Sequence, residues 1–260
     1  MEYSDWYTAL AALEWQAELG VSDAIGETPL DRYQMVAEKP KPEAMPVVAS
    51  PIIIAPPLLD PIAIAEKSAD EAEDLAGLKQ ALKDFPHCDL RRGARNLVFS
   101  DGIVGARVMI LGEVPGREED LQSVPFAGPA GLLLDKMLAA IGLNRAENVY
   151  IGTVIPWRPP QNREPKPEEI AMMMPFVRRH VALAAPEVLI CMGNTSCFAV
   201  IGKQGATKLR GQWQEGLGLP VLPMVHPNVL LRQTVGKKYA WQDLLMLKAW
   251  LGKHETGKLK

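Results

Sequence analysis

Two uninterrupted apolar runs, Val108-Met109-Ile110-Leu111 and Val188-Leu189-Ile190-Cys191, constrain this chain more than any other feature. A strand that is apolar on both faces must be covered on both sides, the condition of a parallel sheet with helices packed against each face. The spacing predicts strands at Arg107–Leu111, Asn148–Ile155, Glu187–Met192 and Pro220–Val225. Helical periodicity falls between and around them, at about 70–84, Pro129–Ile141, Pro167–Ala184, Thr195–Ile201 and Lys237–Leu251. This alternation predicts an α/β fold, a three-layer α/β/α sandwich with a central, mostly parallel sheet. An N-terminal helix is expected at 4–20, where Trp6, Leu10, Leu13 and Ala17 recur at helical spacing. Seven prolines between Pro40 and Pro61 predict an extended linker over 38–66. The expected organisation is therefore 1–37 acidic helical segment, 38–69 Pro/Ala-rich linker, 70–252 main domain and 253–260 tail.

Charge divides along the same lines. Residues 1–75 carry 4 Lys/Arg against 15 Asp/Glu, and residues 76–260 carry 24 against 16, so a net −11 leader precedes a net +8 body. A basic body attracts polyanions at a distance, which brings nucleic acid forward as a partner. No apolar run reaches the roughly 18 residues that span a bilayer, and no membrane association is expected. The N-terminus shows no basic region followed by an apolar one, as a secretory signal would. With only Cys88, Cys191 and Cys197, the expected setting is reducing and cytoplasmic.

In a doubly wound sheet, ligands bind beyond the carboxyl ends of the strands. The unusual residues of this chain cluster there. The four predicted strands lead into Gly112-Glu113-Val114-Pro115-Gly116, Pro156-Trp157-Arg158-Pro159-Pro160-Gln161-Asn162-Arg163, Gly193-Asn194-Thr195-Ser196 and His226-Pro227-Asn228. Any one of them alone reads as a turn. Their convergence on one sheet edge reads as a site.

These segments, with Glu119-Asp120 and Pro125-Phe126-Ala127-Gly128-Pro129-Ala130-Gly131, resemble the ordered motifs of family 4 uracil-DNA glycosylases over about residues 85–250. The resemblance implies an enzyme that flips uracil out of DNA and hydrolyses its N-glycosidic bond. It implies that His226 steadies the departing uracil anion, and that Glu113 holds the attacking water or stabilises the sugar cation. Phe126 would stack on the flipped ring. Val114 and Gly116 would shape the pocket floor, and Asn228 would contact a phosphate or cap a short helix. Arg158, Arg163, Lys208, Arg210 and Arg232 are the candidates for phosphate contacts. No lysine is placed as a Schiff-base nucleophile, so a monofunctional enzyme is expected, acting as a monomer on uracil-containing DNA. The N-terminal helix is a candidate for binding a protein partner.

The chain departs from the family pattern in three ways, the simplest being Asn228 after His226-Pro227, where the family has serine or alanine. Family members commonly hold a 4Fe–4S cluster on four cysteines, and the matching positions here are Phe85, Cys88, Trp157 and Met173. Four thiolates are needed for such a cluster, so none is expected, and no other metal site. Thr153 occupies the position of an asparagine that reads the uracil edge. A hydroxyl offers one hydrogen where an amide pairs two groups at once. This substitution supports an alternative, a weakened or altered-specificity relative that binds deaminated or damaged DNA. A nucleotide-binding α/β protein is a further rival, but neither GxGxxG nor GxxxxGKS follows the first strand.

Overall fold

The computed structural model describes residues 3–20 and 60–255. They fall in two units, divided at Pro56 and Pro57. In the first, α1 spans Tyr3–Glu18. Trp6, Leu13 and Trp15 lie exposed on it, and the Trp6 and Tyr7 rings stack with centroids 6.5 Å apart. The predicted linker up to residue 59 and the last residues of the tail lie outside the described residues. No helix among the described residues is long and apolar enough to cross a membrane.

The second unit opens earlier than its prolines suggest. The sequence predicts extended chain through residue 66 and one helix at 70–84. The structure instead has α2 at Pro61–Asp70 and α3 at Leu75–Asp84. Pro61 begins α2 without penalty because the first helical turn needs no amide donor there. Asp60 caps it by accepting from Ile62 N at 2.9 Å, and Asp74 caps α3 by accepting from Gly77 N at 2.7 Å.

A six-stranded sheet follows, in the order β1-β3-β2-β4-β6-β5. Its four central strands are β2 (Val108–Gly112), β3 (Val149–Thr153), β4 (Val188–Met192) and β6 (Leu219–Met224), all parallel. Short antiparallel strands β1 (Ser100–Gly102) and β5 (Gln214–Gly216) close the edges, a feature the hydrophobic pattern does not signal. Every residue of β2, β3 and β4 is buried, as their continuous apolarity requires.

The remaining helices are α4 (Leu90–Gly93), α5 (Arg117–Gln122), α6 (Pro129–Ala139), α7 (Pro167–Ala184), α8 (Asn194–Ile201), α9 (Ala206–Leu209), α10 (Pro227–Arg232) and α11 (Lys237–Glu255). Residues of α2, α3, α7 and α8 pack on one face of the sheet with Met109, Leu111 and Leu189. Residues of α6, α10 and α11 pack on the other with Val108, Ile110 and Ile190. The two faces follow from topology. The chain steps from β2 outward to β3, then back across β2 to β4. Right-handed crossovers in opposite directions must lie on opposite faces. Helices leaving β2 and β4 therefore diverge, and a crevice opens beyond the carboxyl ends of these neighbouring strands.

Candidate active site

Glu113 is the first residue beyond β2, and the turn that starts α8 is the first beyond β4. The crevice brings them together: Glu113 Oε1 accepts from Thr195 N at 2.7 Å. Only glycine fits at 193, where φ is +106° and a Cβ would lie 2.3 Å from the Glu113 carboxyl carbon. Burial pushes the Glu113 carboxyl above the usual range, and hydrogen bonds from Thr195 and Asn194 oppose that rise.

His226 arrives from the end of β6. Its Nδ1 accepts from Asn228 N at 3.2 Å, making the imidazole the cap of α10. A backbone N–H can only donate, so Nδ1 is the bare nitrogen and Nε2 carries the proton. Burial lowers the His226 pKa to about 4, and the ring is neutral at physiological pH.

Glu113 and His226 share a cleft of about 480 Å³, whose walls include Val114, Asn162, Val229 and Arg232. Gly116, Phe126, Thr153 and Asn228 stand outside those walls. Phe126, expected to offer its face to a flipped base, stacks on His226, with centroids 5.3 Å apart and planes 20° from parallel. That separation is too small for a third ring between them. The Phe126 backbone is held at φ +53°. Arg145 grips this loop by donating to Pro125 O at 3.2 Å and Phe126 O at 3.3 Å, while pairing with Asp101 and Asp135. Gly131 allows the close packing, since a Cβ there would fall 1.6 Å from Phe126 O.

Thr153 is also placed differently from the expectation. Its hydroxyl donates to Val98 O at 3.0 Å and is buried. Asn228 serves through its backbone amide, with its side chain exposed, and the helix cap expected of it is made by His226 instead.

The five basic candidates separate by partner. Arg232 lines the cleft, and Lys208 is exposed on α9. Arg158 donates from Nε to Asn162 Oδ1 at 2.8 Å, at the cleft wall. Arg163 is engaged by Glu169, with one bond of 2.9 Å, and Glu169 is held below the ordinary carboxylate range by it. Arg210 makes bonds of 2.7 and 2.9 Å to Asp243, which is 0 % exposed, and a third to Tyr239 O. Arg163 and Arg210 thus each pair with a carboxylate of the fold, although Arg163 also lines the cleft. Sequence reasoning missed Arg145 and Thr195, whose roles rest on contacts across 20 and 82 residues.

The pattern that defines the uracil DNA glycosylase superfamily matches residues 99–245. A type-4 uracil-DNA glycosylase of Thermotoga maritima is 35% identical over 181 residues, covering 68% of this chain and 94% of that protein. One from Archaeoglobus fulgidus is 35% identical over 177 residues, covering 64% and 88%. One from Sulfurisphaera tokodaii is 32% identical over 181 residues, covering 66% and 82%.

These relatives correct the expectation of a chain without a cofactor, because the type-4 family carries a 4Fe–4S cluster. The residues of this chain at the matching positions do not fit that group. Phe85, Cys88, Trp157 and Met173 are all buried in one apolar layer and bring a single thiol. The other two cysteines, Cys191 in β4 and Cys197 in α8, are buried at other places in the core. Among the described residues, no three His, Cys, Asp or Glu side chains are grouped to hold a metal.

Proposed function

Because the chain belongs to the uracil DNA glycosylase superfamily, we propose that it removes uracil from DNA by hydrolysing the N-glycosidic bond, leaving an abasic site. The observation that carries this reading is the meeting of a half-buried carboxylate, Glu113, and a neutral imidazole, His226, in one cleft of about 480 Å³. The uracil nucleotide enters the cleft flipped from the stack, since its glycosidic bond is out of reach within a duplex. When the bond between N1 and C1′ breaks, its electron pair leaves with uracil and charge gathers on the ring oxygens. His226 Nε2–H donates to O2 of that anion. Its orientation is set beforehand by the Asn228 amide and the Phe126 ring, so little reorganisation is needed as charge develops. Glu113 stabilises the sugar cation and takes the proton of the water that adds to C1′. Val114 shapes the cleft beside it.

Among the described residues no lysine lines the cleft, which favours water over an amine as the nucleophile and hence a monofunctional enzyme. Arg232, Arg158 and Lys208 supply positive charge for the DNA backbone. All these groups belong to one chain, so a monomer suffices.

The test is a labelled oligonucleotide with a single uracil, incubated with the protein and then treated with alkali. Strand cleavage only after alkali, lost in His226→Ala, is expected. No cleavage by the unaltered protein would end the proposal.

A further inference from the structure

The arginines of the described residues divide sharply by whether their charge is neutralised. Arg107, Arg145, Arg163 and Arg210 pair with carboxylates, as do Arg92 and Arg178 at longer distance. Arg91 and Arg179 donate to backbone carbonyls. The side chains of Arg95, Arg117 and Arg232 make no hydrogen bond or ion pair to any described residue, and Arg158 touches only a neutral amide. Arg232 belongs to the cleft already described. The other three line a second cleft of about 450 Å³.

This second cleft is built from the site's own supports. Arg117 begins α5, directly after the Glu113–Gly116 turn. Arg158 opens the Arg158–Arg163 loop, and its bond to Asn162 reaches the wall of the main cleft. Arg95 stands on the segment that Asp120 fastens, its backbone N donating to Asp120 Oδ1 at 2.9 Å beside Asn96 N at 3.0 Å. Asp120 is the one carboxylate on the wall, and it is buried with that oxygen occupied by two amides. Three arginines therefore line one opening with a single carboxylate among them, a net charge of about +2.

We propose that the cleft of Arg95, Arg117 and Arg158 binds a backbone phosphodiester of the DNA strand that delivers its nucleotide to the Glu113–His226 cleft. Arginine forks suit phosphate oxygens, and leaving the forks unpaired in the free protein avoids the cost of breaking an ion pair on binding. The proposal rests on the DNA-glycosylase reading and adds a subsite to it. It assigns Arg95 and Arg117 to DNA binding.

The test measures binding of the full chain to a short labelled single strand carrying a uracil nucleotide fluorinated at C2′, which resists excision. Titrations run between about 50 and 200 mM salt. Arg95→Gln/Arg117→Gln is expected to weaken binding about tenfold or more at the lowest salt, and to reduce the slope of log K against log salt by about 1. Arg178→Gln, on an arginine paired with Glu66, serves as the control and should leave the slope unchanged. A second measurement needs no variant. Neutral methylphosphonate linkages, placed one at a time around the uracil, should weaken binding at one or two positions, and those positions should become silent in Arg95→Gln/Arg117→Gln. An unchanged slope, or no sensitive linkage, overturns the subsite. So does a case where inorganic phosphate raises the melting temperature through these arginines while the DNA slope ignores them, which would assign a free anion. The unaltered protein's excision of uracil is read on the same preparation. If that fails, the functional reading falls, whereas excision with an unchanged slope removes only the subsite.

Discussion

His226, on the wall of the cleft that holds Glu113, lies ring on ring with Phe126 behind it, 5.3 Å between centroids and 20° from parallel. The phenyl group helps to shut water away from the imidazole, and this burial lowers the His226 pKa to about 4. Protonation would put a hydrogen on Nδ1, facing the Asn228 amide, and break the bond that orients the ring. Activity due to His226 is thus retained as pH falls through 6.5 and is lost only near 4. Phe126→Ala should raise the His226 pKa toward 6.5 and move the acid limb of kcat upward with it. NMR titration of the imidazole together with the pH–rate profile measures both. An unmoved imidazole pKa would refute the assignment of this burial to Phe126.

Gly193→Ala should detach the Glu113 carboxylate, because the new Cβ would take the space of its carboxyl carbon. Gly202→Ala supplies the comparison: φ there is +69°, but nothing lies within 4 Å of the added carbon. Both variants bear backbone strain of order 1 kcal/mol or more. Only Gly193→Ala is expected to lower kcat by roughly a hundredfold, the scale seen when one preorganised group is lost from a charged transition state. Equal kcat in the two would count against Glu113.

Arg145→Ala removes two donors from the carbonyls of the Pro125–Phe126 turn and leaves Asp101 and Asp135 without their shared partner. The expected cost is about 2–4 kcal/mol in urea unfolding, with a fall in kcat beyond what the unfolded fraction explains. Arg145→Lys keeps the charge but cannot fork, so it should recover part of the stability and less of the activity. A kcat that tracks the folded fraction alone would confine Arg145 to a structural role.

Thr153→Val tests whether the hydroxyl reads the base. Its bond to Val98 O makes it a tie between strand and loop. Loss of that bond should cost about 1 kcal/mol of stability and leave the ranking of uracil, hypoxanthine and xanthine unchanged. A changed ranking would return Thr153 to the substrate.

The readable part of this protein was its periodicity. Val108–Leu111 and Val188–Cys191 required a two-sided sheet, and four of the six strands follow from such runs. The convergence of Glu113 and His226 was legible too, because parallel strands present all their carboxyl ends on one edge. Edge strands β1 and β5, three residues each, lay below the reach of any pattern. The linker reading failed at Pro61 because a proline says nothing about whether a helix begins at it or is excluded by it. Asp60 as cap decides that.

The amino-acid order by itself determined which segments are strands, which loops crowd one edge, and that the body carries positive charge. Tertiary structure alone decided the partners. It bound Arg163 to Glu169 and Arg210 to Asp243, left Arg95 and Arg117 unpaired, turned the Thr153 hydroxyl to Val98, and laid Phe126 on His226. Periodicity is local and survives in the linear chain. The availability of a charge, a hydroxyl or a ring face depends on what the fold sets beside it from elsewhere in the sequence.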